Sequence, residues 1–160
     1  MDINDCLYLA SRGLKVMPVH GLAWFNDKVG CTCGKIDCPS AAKHPLFLKW
    51  QTITEADRGT FEAWAQRYPQ ANLGVITGVI SGVIVLDVDP RHHGDETLLQ
   101  LEDKYDSLPE TPKVVTASGG HHFYFKHPGF PVKNRANLTG PGIDVRGDGG
   151  FVVAPPSRGV

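Results

Sequence analysis

The sequence predicts an α+β protein built on a mixed or antiparallel sheet. Two observations predict it. Helical spacing of apolar residues is concentrated in two stretches near the front of the chain. Short runs of β-branched and aromatic residues, each bounded by Gly, Ser, Pro or Asp, fill most of the remaining chain. Helices first and many short strands behind them is an α+β order.

Residues 4–12 read as an amphipathic helix with Cys6, Leu7, Leu9 and Ala10 apolar, ended by Gly13 as a C-cap. Residues 14–19 come next as a strand. Residues 24–48 form a loop-rich insert that holds three of the four cysteines. Thr54 is the expected N-cap of a helix running through Tyr68. There Phe61, Trp64, Ala65 and Tyr68 recur at helical spacing as a core face, and Pro69 stops the helix. Residues 73–77 and 83–89 read as strands around a Gly/Ser turn, and residues 96–105 as a helix. Residues 114–117 and 122–126 form a strand pair around Ser118-Gly119-Gly120. Residues 143–146 and 151–154 form the last pair, joined by Gly147-Asp148-Gly149-Gly150, a hairpin signal in which Asp148 is a turn former. There is no internal repeat.

The chain has 160 residues, enough for one domain with a core, and 41% are hydrophobic. No apolar run approaches the ~20 residues that span a bilayer. The acidic start, Met1-Asp2-Ile3-Asn4-Asp5, lacks the basic and apolar regions of a signal peptide. These features predict a cytoplasmic protein, in which cysteines are expected to serve as metal ligands or core residues rather than disulfides. A formal net charge of −1 does not suit a protein that holds nucleic acid by bulk charge alone.

Val83-Ile84-Val85-Leu86-Asp87-Val88-Asp89 is an apolar strand ending in two acids. Alternation puts Asp87 and Asp89 on one face, with Cα atoms about 6–7 Å apart. Two such carboxylates repel each other unless a cation lies between them. A hard divalent ion that bridges to phosphates is the usual partner, and a strand ending in a polar turn at Pro90 is the plainer alternative.

Cys31-Thr32-Cys33, Cys38 and His44 have the spacing C-x-C-x4-C-x5-H in a Gly/Pro-rich loop. Three thiols and an imidazole supply the tetrahedral set of a structural Zn²⁺ site. The alternative is three unrelated thiols. Cys6, on the first helix, reads as a core residue.

Ser118-Gly119-Gly120-His121-His122-Phe123-Tyr124-Phe125 is a small-residue turn feeding an aromatic strand, and its glycines would let phosphates approach backbone amides. His122 and Tyr124 share one face; His121, Phe123 and Phe125 share the other, which is expected to be the core. His122 is therefore the candidate phosphate ligand and His121 structural. In Gly142-Ile143-Asp144-Val145-Arg146, Asp144 and Arg146 share a face. They are a candidate third carboxylate and a triphosphate-binding arginine, or else a plain surface ion pair.

In this order, the strand motif Val85-Leu86-Asp87-Val88-Asp89, then Gly120-His121-His122, then Ile143-Asp144 resemble the primase-polymerase domain of the archaeo-eukaryotic primase superfamily. The closest type is the bifunctional domain of plasmid, phage and prophage replication proteins. The resemblance runs from Ser11 to Ser157, and the cysteine-rich insert resembles one seen in many members, although these often have Gly where Ala42 stands. It implies an RRM-like catalytic sheet joined to a smaller N-terminal α/β unit, together forming one primase-polymerase domain over residues 1–160. It implies that Asp87, Asp89 and Asp144 hold two Mg²⁺ or Mn²⁺ ions about 3.5–4 Å apart for nucleotidyl transfer. It implies that His122 contacts the incoming dNTP or NTP, with Ser118 and Arg146 as further nucleotide ligands. The partners would be a single-stranded DNA template and a primer. The abrupt ending Arg158-Gly159-Val160 predicts a domain taken from a longer replication protein, with a helicase domain further along. Two other readings remain at this point: a non-catalytic RRM-like module stacking single strands on Phe123, Tyr124 and Phe125, and a metal-dependent nuclease.

Overall fold

In the computed structural model, which describes residues 1–53 and 55–159, the first helix forms where the apolar spacing predicts it. α1 (Ile3–Ser11) starts at Asp2, whose carboxylate accepts from the Asn4 amide at 2.8 Å. It buries Cys6, and burial pushes that thiol up to about 11. Gly13 adopts φ +80°, the left-handed position that ends a helix at low cost. α2 (Arg58–Arg67) starts later than expected. Its N-cap is Asp57, which accepts from both the amide and the hydroxyl of Thr60. Thr54 lies outside the described residues. The expected aromatic face is present: Phe61 is buried, Trp64 packs against it, and Phe47 covers Trp64 and Tyr68.

The chain divides into two units, Met1–Ile76 with the segment from Phe151 onward, and Thr77–Gly150. The first unit holds α1, α2 and an antiparallel sheet of β1 (Lys15–Val19), β4 (Asn72–Ile76) and β9 (Phe151–Ala154), in the order β1-β4-β9. The central strand β4 is buried along its whole length. Val16, Met17, Val19, Leu73, Val75, Val152 and Phe61 supply this unit's core. Part of the expected loop is a hairpin, β2 (Leu22–Phe25) with β3 (Lys28–Cys31). Its turn residues Asn26 and Asp27 both have positive φ, as a two-residue type I′ turn requires.

The second unit holds β5 (Val83–Val88), α3 (Gly94–Tyr105), β6 (Lys113–Val115), β7 (His121–Lys126) and β8 (Ile143–Arg146). The four strands form one antiparallel sheet in the order β6-β7-β5-β8. The protein is thus α+β with antiparallel sheets.

Two expected pairings do not occur. Gly147-Asp148-Gly149-Gly150 does not close a hairpin: β8 pairs with β5, while β9 pairs with β4 in the other sheet. Gly147 and Gly150 answer a further need. A Cβ on Gly147 would lie 2.1 Å from the Val132 carbonyl oxygen, and one on Gly150 would lie 2.1 Å from Asn134 Oδ1. The four residues do close a turn, with the Gly150 amide donating to the Gly147 carbonyl at 3.1 Å and Gly149 at φ +70°, while close passage of the 132–134 segment excludes side chains at Gly147 and Gly150. Likewise β4 and β5 flank a Gly/Ser turn, closed by the bridge between Gly78 and Val83, yet belong to different sheets.

Candidate active site and metal centre

Register decides what the four-stranded sheet of the second unit presents. Asp87 on β5 lies opposite His122 on β7 and opposite Asp144 on β8, so three chemically active side chains form one row across three strands. In the next row Val85 lies between Tyr124 and Arg146. Cross-strand neighbours share a face, so all these residues face the same way. The opposite face carries Val88 and Ile143, both buried, with Phe123 and Phe125 only half-buried. Val85 on the site face is buried too, so the phenylalanines do not mark one side as the sole core.

Two carboxylates directly opposite one another need a counter-charge. Arg146 supplies it: its Nη2 donates to Asp144 Oδ2 at 2.8 Å and to Asp87 Oδ2 at 3.2 Å. His122 Nε2 lies 3.4 Å from Asp87 Oδ1. Burial by itself would raise the Asp87 carboxyl, but His122 and Arg146 outweigh it and hold the group below the usual carboxylate range. Tyr124 is pushed up to about 12, by burial first and by the Asp87 charge second, so it stays neutral. His122 is 8% exposed, and its Nδ1 is buried with no hydrogen-bond partner.

Asp144 is held by more than its strand. Its Oδ1 accepts from the Asn137 amide at 2.9 Å, and Asn137 Oδ1 accepts from the Gly142 amide at 2.9 Å. Asn137 has φ +51°, which asparagine tolerates better than most residues.

Asp89 is placed differently. It lies just past β5, at the start of a one-turn 3-10 helix, Pro90–His92, and its carboxylate is taken by Arg91 and His92. Arg91 holds it far below the usual carboxylate range. The structure therefore brings together Asp87, Asp144, His122 and Arg146, whereas the Asp89 carboxylate is engaged by its own turn. Ser118 Oγ pairs with Thr116 Oγ1 at 3.2 Å. The amides of Gly119 and Gly120 donate to the Thr116 carbonyl and hydroxyl, at 3.0 Å each, so neither is aimed at a phosphate. Gly120 is needed for another reason: a Cβ there would lie 2.4 Å from the Val88 carbonyl oxygen.

Sequence reasoning missed Asn137 and the role of Asp148. Asp148 Oδ1 and Oδ2 accept from the amides of Val79 and Val132, at 2.8 Å each, and His127 Nε2 lies 3.3 Å from Oδ1. These partners are 69, 16 and 21 residues away, so no local signal announces them.

In the first unit Cys31, Cys33, Cys38 and His44 converge, with all ligand atoms within 4.8 Å of one another. Among the described residues this is the one set of three or more metal-ligating side chains that does so. Cys31 comes from the end of β3, and Gly34, at φ +77°, turns the chain after Cys33. The His44 carbonyl accepts from the His20 amide at 2.8 Å, which ties the last ligand to the end of β1. The Sγ atoms of Cys31 and Cys38 lie 3.4 and 3.5 Å from His44 Nε2. A tetrahedral zinc with ordinary bond lengths sets its sulfur–nitrogen edges at about 3.5 Å. The Lys35 amide, opposed by burial, pulls the Cys33 thiol down to about 6, toward the thiolate that binds metal. The set could bind zinc. Ala42, buried in the same loop, has φ +60°, a conformation glycine adopts more easily.

A family model for the N-terminal domain of bifunctional DNA primase/polymerases matches residues 6–159. The chain belongs to that family, which implies a nucleotidyltransferase acting on DNA and nucleotides. No curated protein matches the chain. No helix among the described residues is long and apolar enough to cross a membrane.

Proposed function

We propose that this protein carries out template-directed nucleotidyl transfer, making primers and/or extending DNA from dNTPs or NTPs in plasmid, phage or prophage replication. The observation that carries the reading is the row of Asp144, Asp87 and His122 across three adjacent strands, with Arg146 bonded to the two acids. The strand order β8-β5-β7-β6, with α3 following β5, supports reading the sheet as RRM-like. The two units would then act as one primase-polymerase domain.

Asp87, Asp89 and Asp144 would hold Mg²⁺ or Mn²⁺. Carboxylate oxygens suit a hard cation, and Asp87 and Asp144 already share a positive partner. When bound, such ions supply Lewis-acid stabilisation of the α-phosphate and its leaving pyrophosphate. The side chains do the rest. Asp87 is ionised, ready to act as a ligand without first losing a proton. Arg146, 36% exposed in its side chain, is long enough to turn from the acids to a triphosphate, which its planar fork suits. His122, whose Nε2 lies beside Asp87, would contact the incoming nucleotide. Ser118 is a weaker nucleotide ligand, since its hydroxyl already has a partner. In the first unit the cysteine–histidine set would hold a structural Zn²⁺, stabilising a loop too small to have its own core.

The test is primer extension with purified protein, a labelled primed template, dNTPs and Mn²⁺ or Mg²⁺, run beside the Asp87→Ala/Asp89→Ala double variant. The expected result is extension by the wild type and none by the variant. Shortening of the DNA would identify a nuclease instead. DNA binding with no extension by either protein would identify a binding module.

A further inference from the structure

Asp89 is held in two independent ways, and only one of them is free to change. Its backbone is fixed: the amide donates to the Gly142 carbonyl at 2.8 Å, and the carbonyl accepts from the His92 and Gly94 amides at 3.1 and 3.0 Å. Gly94 and Gly142 make this approach possible. A Cβ on Gly94 would lie 2.8 Å from Asp89 N and O, and one on Gly142 would lie 2.7 Å from Asp89 O.

The carboxylate, in contrast, is held by an exposed side chain. Arg91 Nε donates to Oδ1 at 3.0 Å and its Nη2 to Oδ2 at 2.7 Å, a two-pronged pairing that occupies both oxygens. The Arg91 amide adds a bond to Oδ1 at 3.0 Å, and His92 Nδ1 lies 3.2 Å from Oδ2. The Arg91 side chain is 55% exposed, so its guanidinium can swing into water. A carboxylate cannot give the same lone pairs to a guanidinium fork and to a metal ion at once.

Resting on the active site proposed for Asp87, Asp89 and Asp144, we propose that Arg91 is a displaceable latch on Asp89. Its fork occupies both oxygens of the carboxylate and must release them for a divalent cation to bind, so it is a positioning residue that sets metal affinity. Arg146 stands in the same relation to Asp87 and Asp144, but it is less exposed and spans two strands. Arg91 is therefore the contact that yields at least cost. An exposed ion pair is weak, so the latch tunes affinity rather than blocking it.

The test is a Mn²⁺ titration of the zinc-loaded 160-residue chain, read as free Mn²⁺ by electron paramagnetic resonance, for wild type, R91Q, R91K and the Asp87→Ala/Asp89→Ala variant. Wild type should bind Mn²⁺ and the double variant should lose that binding. R91Q should bind about two- to fivefold more tightly than wild type, and R91K should gain part of that increase, because lysine keeps the charge but lacks the fork. R91Q binding no tighter than wild type would overturn the latch while leaving the metal site intact. Tightening in R91Q with R91K at wild-type affinity would reduce the effect to net charge and also overturn it. Equal Mn²⁺ binding by wild type and the double variant would mean that the metal site itself fails, and the latch with it.

Discussion

At the scale of single residues, Asp148 shows how a turn former becomes a tether. Its two oxygens join the backbone at Val79 to the backbone at Val132, and those amide bonds depress its carboxyl. A carboxyl depressed in the folded state contributes stability that is present above its unfolded value, about 3.9, and is lost as pH falls through the folded value. Asp148→Asn should therefore lower the urea midpoint at pH 7, by an amount worth on the order of 1 kcal/mol, since the amide keeps an acceptor but loses the charge. The difference from wild type should shrink as the pH approaches 3. A gap that stays constant with pH would show that the charge is not what matters. Asp87, Asp144, His122 and Arg146 were all legible as candidates, because alternation along a strand marks which residues share a face. Their partners were not. That Asp87 faces both His122 and Asp144 depends on how strands far apart in the chain slide past one another, and no short window contains that register.

At the scale of elements, the cysteine loop was the most legible part, because four ligands within 14 residues leave few ways to converge. What the spacing did not reveal is that Cys31 ends a hairpin strand, while His44 is bonded to the chain beside β1. Zinc would thus fasten the hairpin to the first sheet. Chelation, or Cys33→Ser, should release about one zinc per chain and open residues 24–48 to protease, with little loss of far-UV helix and sheet signal. Elemental analysis and limited proteolysis check this; a loop equally resistant without zinc would argue against a structural ion. The helices were legible to within a few residues, since their apolar spacing is local. Strand pairing was less so. Glycines at residues 147, 149 and 150 resemble a hairpin turn in sequence, but two of them leave room for the 132–134 segment passing at close range. A glycine required by a distant neighbour looks the same in sequence as one required by a turn.

At the scale of the whole molecule, a formal charge of −1 gives DNA no general attraction, so binding depends on what happens at the acids. Without divalent ions, Asp87→Ala/Asp89→Ala should bind primer-template at least as tightly as wild type, because two repulsive carboxylates are gone. With Mn²⁺ the wild type should gain affinity severalfold and the variant should not. Fluorescence anisotropy with and without Mn²⁺ reads both effects, and equal gains in the two proteins would place the helpful ion elsewhere.

Local sequence pattern marks which chemistry-bearing residues the chain contains, where its helices lie, which strand residues share a face, and which loop can gather a metal. Each of these depends on contacts within a few residues. Long-range packing, in contrast, sets β8 against β5 rather than β9, stands Asp144 across from Asp87, and bonds Arg146 to both acids while Asp89 turns to Arg91. The pairings rest on hydrogen-bond register between distant segments, which is set by the packing of the whole sheet.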